Sequence, residues 1–348
     1  MVEITRIGMD TSKSVFQLHG VDAAERVVLR KKLRRREVLA FFAELPPCRV
    51  GMEACGGSHY WARELQALGH RVELIPPQYV KPYVPRGKHD AADAEGICEA
   101  MSRPKVRQRL VPIKSAEAQA ALMLVGLRER LVRQRTQLIN AIRGYAAEFG
   151  LVAAKGKAKI AALLRRIADD PAVPEPAWPL FAELAAEHAR LEARIKEADA
   201  KLMAWHRQDE QSRRLAEIPS IGPIGASLLV LKAPDPQRFR SGRDFAAWIG
   251  LTPKNHSTAG KQRLGVITRA GDETLRSQLV VGATSVIRQV RCGTSRSAPP
   301  WLLALLARKP PKLAAVALAN KVARIAWKLM VSGERYDPAR LAALPATT

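Results

Sequence analysis

The chain has 348 residues, with 57 Lys and Arg against 33 Asp and Glu, for a formal charge of +24. Hydrophobic residues make up 47%, enough for a proper core, which argues against a basic disordered tail. At ~150 residues per domain the length predicts two or three units. No run approaches the ~20 apolar residues of a membrane span, and the opening Met1–Arg6 shows no basic stretch leading into an apolar one. Cys48, Cys55, Cys98 and Cys292 have neither C-x-x-C pairing nor metal-ligand spacing. The expectation is a cytoplasmic, nucleoid-associated protein with reduced thiols and no structural zinc. The surplus charge points to a polyanionic partner, nucleic acid first, with arginine-rich codon usage as the plain alternative.

The first ~110 residues predict three strand-like runs, Ile4 to Met9 ending in Asp10, Ser14 to Gly20 and Arg26 to Leu33. A helix over 35–45, a strand over 49–52 stopping at Glu53, a break at Gly56-Gly57-Ser58, a helix over 59–68 and a strand over 71–75 follow. That order predicts an RNase H-like mixed sheet in residues 1–112. Residues 113–208 predict a long-helix region. Ala116 to Phe149 carries no proline and ends at Gly150, and a second helix covers about 180–207. Leu184, His188, Leu191, Ile195, Ala198, Leu202 and Trp205 follow a 4-3 rhythm, which suits a coiled coil between chains or an antiparallel hairpin within one. Residues 209–340 predict a mainly helical domain, with helices over 272–290 and 311–331, a polar loop over 254–265 and a frayed tail after Tyr336. The fold class is therefore α/β followed by α.

Acids are scarce in the first region, so their positions are informative. Asp10 and Glu53 end strands, and Asp90 and Asp93 occur in Lys88-His89-Asp90-Ala91-Ala92-Asp93-Ala94-Glu95. On a helix, three-residue spacing puts Asp90 and Asp93 on one face. Each acid alone suits a turn or a cap. Together they suggest four carboxylates at one sheet edge. Such a cluster needs hard divalent cations, Mg²⁺ or Mn²⁺, and two of them would flank a scissile phosphate.

These segments resemble the DEDD transposases of bacterial insertion sequences, which join a RuvC-like N-terminal domain to a C-terminal transposase domain. The resemblance rests on Ile7-Gly8-Met9-Asp10-Thr11-Ser12-Lys13, Gly51-Met52-Glu53-Ala54 with Gly57 and Trp61, and the Lys88 to Glu95 segment. It continues through Ile218 to Pro223, Phe239 to Pro253, Ser257 to Gly271 and Ala319-Asn320-Lys321. It implies that Asp10, Glu53, Asp90 and Asp93 are the D, E, D and D of the family. It also implies that the loop Gly250 to Lys261 carries a nucleophilic serine, assigned to Ser257 with Thr258 as the rival. Ala259 stands where the family usually has glycine, and His89 where asparagine is common. A serine hydroxyl attacking a phosphodiester keeps the bond energy in a phosphoserine link, so strands reseal without ATP.

His256, Lys261, Arg263, Arg269 and Arg276 are the expected charge support for that serine. Arg30, Lys31, Lys32, Arg34, Arg35 and Arg36 form the densest basic run, read as phosphate contacts or as a solvated face. Arg128 and Arg135 on the first long helix are candidate RNA contacts. The Ile218 to Gly225 turn suits either a helix-hairpin-helix element or a tight turn. The resemblance implies a noncoding guide RNA beside donor and target DNA, and a homo-oligomer (dimer or tetramer) with a shared composite site. The expected activity is strand cleavage and exchange by serine transesterification. The rival is a RuvC-like junction-resolving nuclease that uses water, and a non-catalytic nucleic-acid binder is the third reading.

Overall fold

Alternation of apolar and polar residues builds the sheet of the N-terminal half. Its elements are β1 (Arg6–Thr11), β2 (Val15–Val21), β3 (Val27–Arg34), α1 (Val38–Ala43), β4 (Arg49–Glu53), α2 (Ser58–Ala67), β5 (Arg71–Ile75), α3 (Pro77–Val80), α4 (Asp90–Ser102) and α5 (Pro104–Arg107). The strand order is β3-β2-β1-β4-β5. β1 to β3 form an antiparallel meander, and β1, β4 and β5 run parallel. The computed structural model describes residues 3–84, 90–154, 156, 159–256, 258, 261, 263–294 and 298–338, without the side chain of Asp90. It divides into two compact units, Met1–Gln119 and Ala120–Thr348.

One sheet face is apolar. Ile7, Met9, Phe16, Leu18, Leu33, Val50 and Met52 pack with Val38 and Phe42 of α1 and Trp61 and Leu65 of α2. The other face carries α4, and glycine makes room for it. A Cβ on Gly8 would lie 2.1 Å from the Ala94 carbonyl oxygen, and one on Gly51 2.3 Å from the Met101 sulfur. Arg6 Nε donates to the Cys98 carbonyl at 2.9 Å and Arg49 Nη2 to the Met101 carbonyl at 3.2 Å. Cys98 and Met101 thus lie toward the starts of β1 and β4. α4 therefore runs antiparallel to those strands and begins over their C-terminal ends.

The second unit is helical. α6 (Ala116–Glu148) leads into it from the end of the first, followed by α7 (Ile160–Asp169), α8 (Trp178–Gln208), α9 (Glu210–Leu215), α10 (Pro223–Lys232) and α11 (Gly242–Ile249). Then come β6 (Pro253–Asn255), β7 (Leu264–Ile267), α12 (Glu273–Arg291), α13 (Pro300–Arg308) and α14 (Pro311–Ser332). Arg128 pairs with Asp199 and Arg135 with Glu192. The reversed order of partners defines an antiparallel α6–α8 hairpin. Leu131, Leu138, Ile139 and Ile142 meet Phe181, Leu191 and Ile195 in its core, which α7 completes with Ile160, Leu163 and Ile167. The heptad residues Leu191, Ile195, Ala198 and Leu202 are thus buried within this chain. The C-terminal core gathers Phe245, Leu275, Leu279 and Ala283 against the alanine-rich face of α14. No helix among the described residues is long and apolar enough to cross a membrane.

Three features depart from the sequence expectation. α7 occupies a stretch between the two long helices for which the sequence predicts no element, and α13 is likewise unexpected. The loop over 254–265 contains a two-stranded antiparallel hairpin, β6–β7. Every described residue from Pro253 to His256 is exposed, so no apolar alternation marks β6.

Candidate active site

Parallel pairing of β1 with β4 aligns Met9 with Met52. The next residues, Asp10 and Glu53, therefore sit side by side at the C-terminal edge. Met9 and Met52 point into the apolar core, so alternation turns Asp10 and Glu53 to the face that carries α4. The start of α4 overlies that edge with Asp93. Glu53 is half-buried, and its carboxyl is held above the ordinary range, by burial first and then by the charge of Asp93. Asp90 opens α4, and its side chain lies outside the described residues. Among the described residues no three Asp, Glu, His or Cys side chains are grouped for a metal ion.

Strand register splits the basic run. Asp10, Gln17 and Lys32 form one cross-strand row, and Gly8, His19 and Arg30 the next. Arg30, Lys32 and Arg34 thus share the acids' face, on an edge strand of the sheet. Leu33 is buried on the opposite face, where the Lys31 ammonium lies 4.5 Å from the Phe41 ring. The Arg35 guanidinium covers Trp61 at 4.9 Å, and Arg36 is exposed.

Sequence reasoning missed a cationic cluster at the start of α2. The Lys114 backbone N–H donates to His59 Nδ1 at 3.2 Å, and Arg63 Nη1 donates to the Lys114 carbonyl and Gln119 Oε1, both at 2.8 Å. Burial, then Lys114 and Arg63, push the His59 imidazole down to about 4. His59 and Lys114 are 55 residues apart, so no local motif could have joined them.

Ser257 lies outside the described residues. Its flanks are defined. The His256 N–H donates to the Arg263 carbonyl at 2.8 Å, and the Lys261 N–H to the Thr258 carbonyl at 3.0 Å. Both close the β6–β7 hairpin. His256, Thr258, Lys261 and Arg263 are exposed. The hairpin's root is tightly built. Gly250 ends α11 with φ +82°, and a Cβ there would lie 2.0 Å from the Ala270 carbonyl oxygen. Arg276 Nη1 donates to the Ile249 carbonyl at 3.0 Å and the Ala270 carbonyl at 3.1 Å. Asn320 Nδ2 donates to the Leu251 carbonyl at 3.2 Å.

The expected nucleic-acid contacts therefore divide. Lys261, Arg263 and Arg269 are exposed on or beside the hairpin, while Arg276 ties down its root. Arg128 and Arg135, expected as RNA contacts, have side chains only 19% and 12% exposed and ion-paired across the α6–α8 hairpin. Their guanidiniums hold two helices together, because partners 71 and 57 residues away come opposite them only on folding.

A transposase family model of the DEDD IS110 type matches residues 7–149, and a model described as the transposase IS116/IS110/IS902 family matches 212–298. The chain is 68% identical over 337 residues to a putative transposase of Sinorhizobium fredii, covering 97% of this chain and 87% of the relative. It is 51% identical to a probable family 20 transposase of Pseudomonas aeruginosa, covering 97% of this chain and 100% of that one. It is 36% identical to the transposase for insertion sequence element IS1111A of Coxiella burnetii, covering 97% and 92%. With both halves matched and near-complete relatives at this identity, the chain belongs to the IS116/IS110/IS902 family of transposases, enzymes that recombine DNA.

Proposed function

We propose that this transposase cuts and rejoins DNA through two cooperating centres, a metal-dependent acidic edge on an RNase H-like first unit and a serine nucleophile, Ser257, on the second. The observation that carries the reading is the acidic edge. Parallel β1 and β4 set Asp10 and Glu53 one residue past the aligned Met9 and Met52, and burial, then the charge of Asp93 on α4, raise the Glu53 carboxyl. A half-buried carboxylate pressed by a second acid, in a set of hard oxygen donors, fits a divalent cation such as Mg²⁺ or Mn²⁺. Asp10, Glu53, Asp90 and Asp93 would hold it. Such an ion, when bound, supplies counter-charge to the scissile phosphate and makes an oxygen nucleophile more acidic.

Ser257 Oγ attacks phosphorus. The Oγ–P bond forms as the bond to the departing strand's oxygen breaks, the serine proton passes to a base, and the departing oxygen takes up a proton. The reverse step, with another strand end, reseals DNA without an external energy source. Lys261, Arg263 and Arg269 supply positive charge to the phosphate. Arg30, Lys32 and Arg34, on the acids' side of the sheet, hold backbone phosphates near the edge. Donor and target DNA are the substrates, a noncoding RNA supplies sequence choice by pairing, and a homo-oligomer shares the composite site.

The test is to quench the reaction with DNA and Mg²⁺ in denaturant. The expected result is DNA carrying covalently attached protein, absent with Ser257→Ala and retained with Thr258→Ala. DNA cut without attached protein, with Ser257→Ala still cutting, would establish the junction-resolving reading with water as nucleophile. Sequencing of copurifying nucleic acid tests the guide. One discrete RNA supports it, and a random cellular mixture reduces it to electrostatics.

A further inference from the structure

The second unit holds a groove of about 1740 Å³ between the β6–β7 hairpin, the start of α11, α13 and α14. Along α14 it is lined by Lys312, Lys321, Arg324 and Lys328, and opposite them by Arg243, Arg269 and Arg308. None of these seven makes an ion pair among the described residues. Lys321, Arg324 and Lys328 recur at i, i+3 and i+7, a stripe of like charges that weakens a helix unless something anionic lies on it. Two acids, Glu334 and Asp337, also line the groove.

The lining between these cations is apolar, with Val266, Ile267, Leu305, Leu313 and Val316. Val266 is 70% exposed and Leu313 52%, so apolar surface stands open beside these cations. Trp301 lines the groove beneath the Lys321 ammonium, which lies 4.1 Å from the ring centroid, and its indole N–H has no acceptor among the described residues.

We propose that this groove binds a single strand of the DNA substrate, with phosphates on the cationic stripe and bases against the apolar and aromatic lining. A duplex presents phosphates and leaves an apolar lining unused, whereas an unpaired strand exposes base faces that need one. DNA is the occupant because one wall, Pro253, Val266 and Ile267, belongs to the hairpin whose connection carries Ser257. In that respect the proposal rests on the serine reading above.

The test uses the full chain as Ser257→Ala, in EDTA, so that nothing is cut and binding is read apart from the chemistry. A fluorescent oligo-dT is titrated at several salt concentrations, beside a duplex and an RNA of equal length and a polyglutamate competitor. Lys312→Glu with Lys328→Glu, both at exposed positions, should weaken oligo-dT binding at least tenfold. It should also make the salt slope shallower by about 1.4, from two lost phosphate contacts at ~0.7 each. Val266→Asp should weaken oligo-dT binding and spare the duplex, with unchanged melting curves throughout. Unchanged oligo-dT affinity in both variants overturns the proposal. So does an equal loss for duplex, tighter binding of RNA, or displacement by polyglutamate as effective as by DNA.

Discussion

Asp10 and Glu53 sit on strands whose inward faces are sealed by Ile7, Met9, Val50 and Met52, with a helix laid over their other side. The described residues around Ser257 lie on a two-stranded arm that is exposed from Pro253 to His256. In the proposed reading one centre is embedded in the sheet, and the other belongs to a loop on an exposed arm with a fixed root. A cluster of carboxylates needs a rigid frame, since like charges are tolerable only where geometry lets a cation serve them all. A nucleophile that must meet a long polymer is better mounted on a surface arm. The Gly250, Arg276 and Asn320 contacts confine that arm at its base.

The largest test of the embedded centre is chemical. Asp10→Asn or Glu53→Gln should slow single-turnover DNA cleavage by at least about 10²–10³-fold while leaving the melting temperature near the parent's. Full activity in either variant would remove the edge from the chemistry and erase the contrast.

Next come substitutions that disturb each frame. Gly250→Ala adds a Cβ 2.0 Å from the Ala270 oxygen at φ +82°, and Gly8→Ala wedges α4 away from β1. Each should cost roughly 1–3 kcal/mol in urea unfolding, and each should reduce cleavage, whereas Lys254→Ala at an exposed arm position should leave stability unchanged. Equal stability of all three would mean that the arm's root is as loose as its surface.

A pH effect should distinguish the first unit. His59 is pushed from 6.5 to about 4 in the folded chain, so between those values the unfolded chain binds the extra proton. Stability present above pH 6.5 should fall as pH drops toward 4. In His59→Gln the difference should flatten, measured as urea midpoints across that window. A wild-type curve parallel to the variant's would show that the cationic cluster does not hold the imidazole neutral.

The smallest effect concerns the hairpin. A double-mutant cycle of Arg128→Gln with Asp199→Asn should give a coupling of about 1 kcal/mol or less and no change in DNA affinity. A large loss of nucleic-acid binding with Arg128→Gln would return that residue to the interface.

Much of this was legible along the chain. The strand over 71–75 was read at its observed bounds, and the long helices within a few residues of theirs, because apolar spacing and proline or glycine stops are local signals. The short segments failed for the same reason. α7 carries Ile160, Leu163 and Ile167 at helical spacing, but at 10 residues the pattern is too short to stand out beside its long neighbours. β6 and β7 keep their pairing without burying a face, so no alternation announced them.

The sequence by itself determined the order of the N-terminal strands and of the long helices, the basic excess, the set of scarce acids and the resemblance to DEDD transposases, since each depends on residue type and spacing alone. Only the tertiary structure decided which charges share a surface. Parallel pairing of β1 with β4 aligned Asp10 with Glu53 across 43 residues, and glycines at 8 and 51 let α4 bring Asp93 to them. Register divided Arg30 and Lys32 from Lys31, and folding drew Arg128, Arg135 and Arg276 into structural bonds. The reason is physical. Side-chain direction follows from local backbone period, but the partner of a charge is fixed by contacts between residues far apart in the chain.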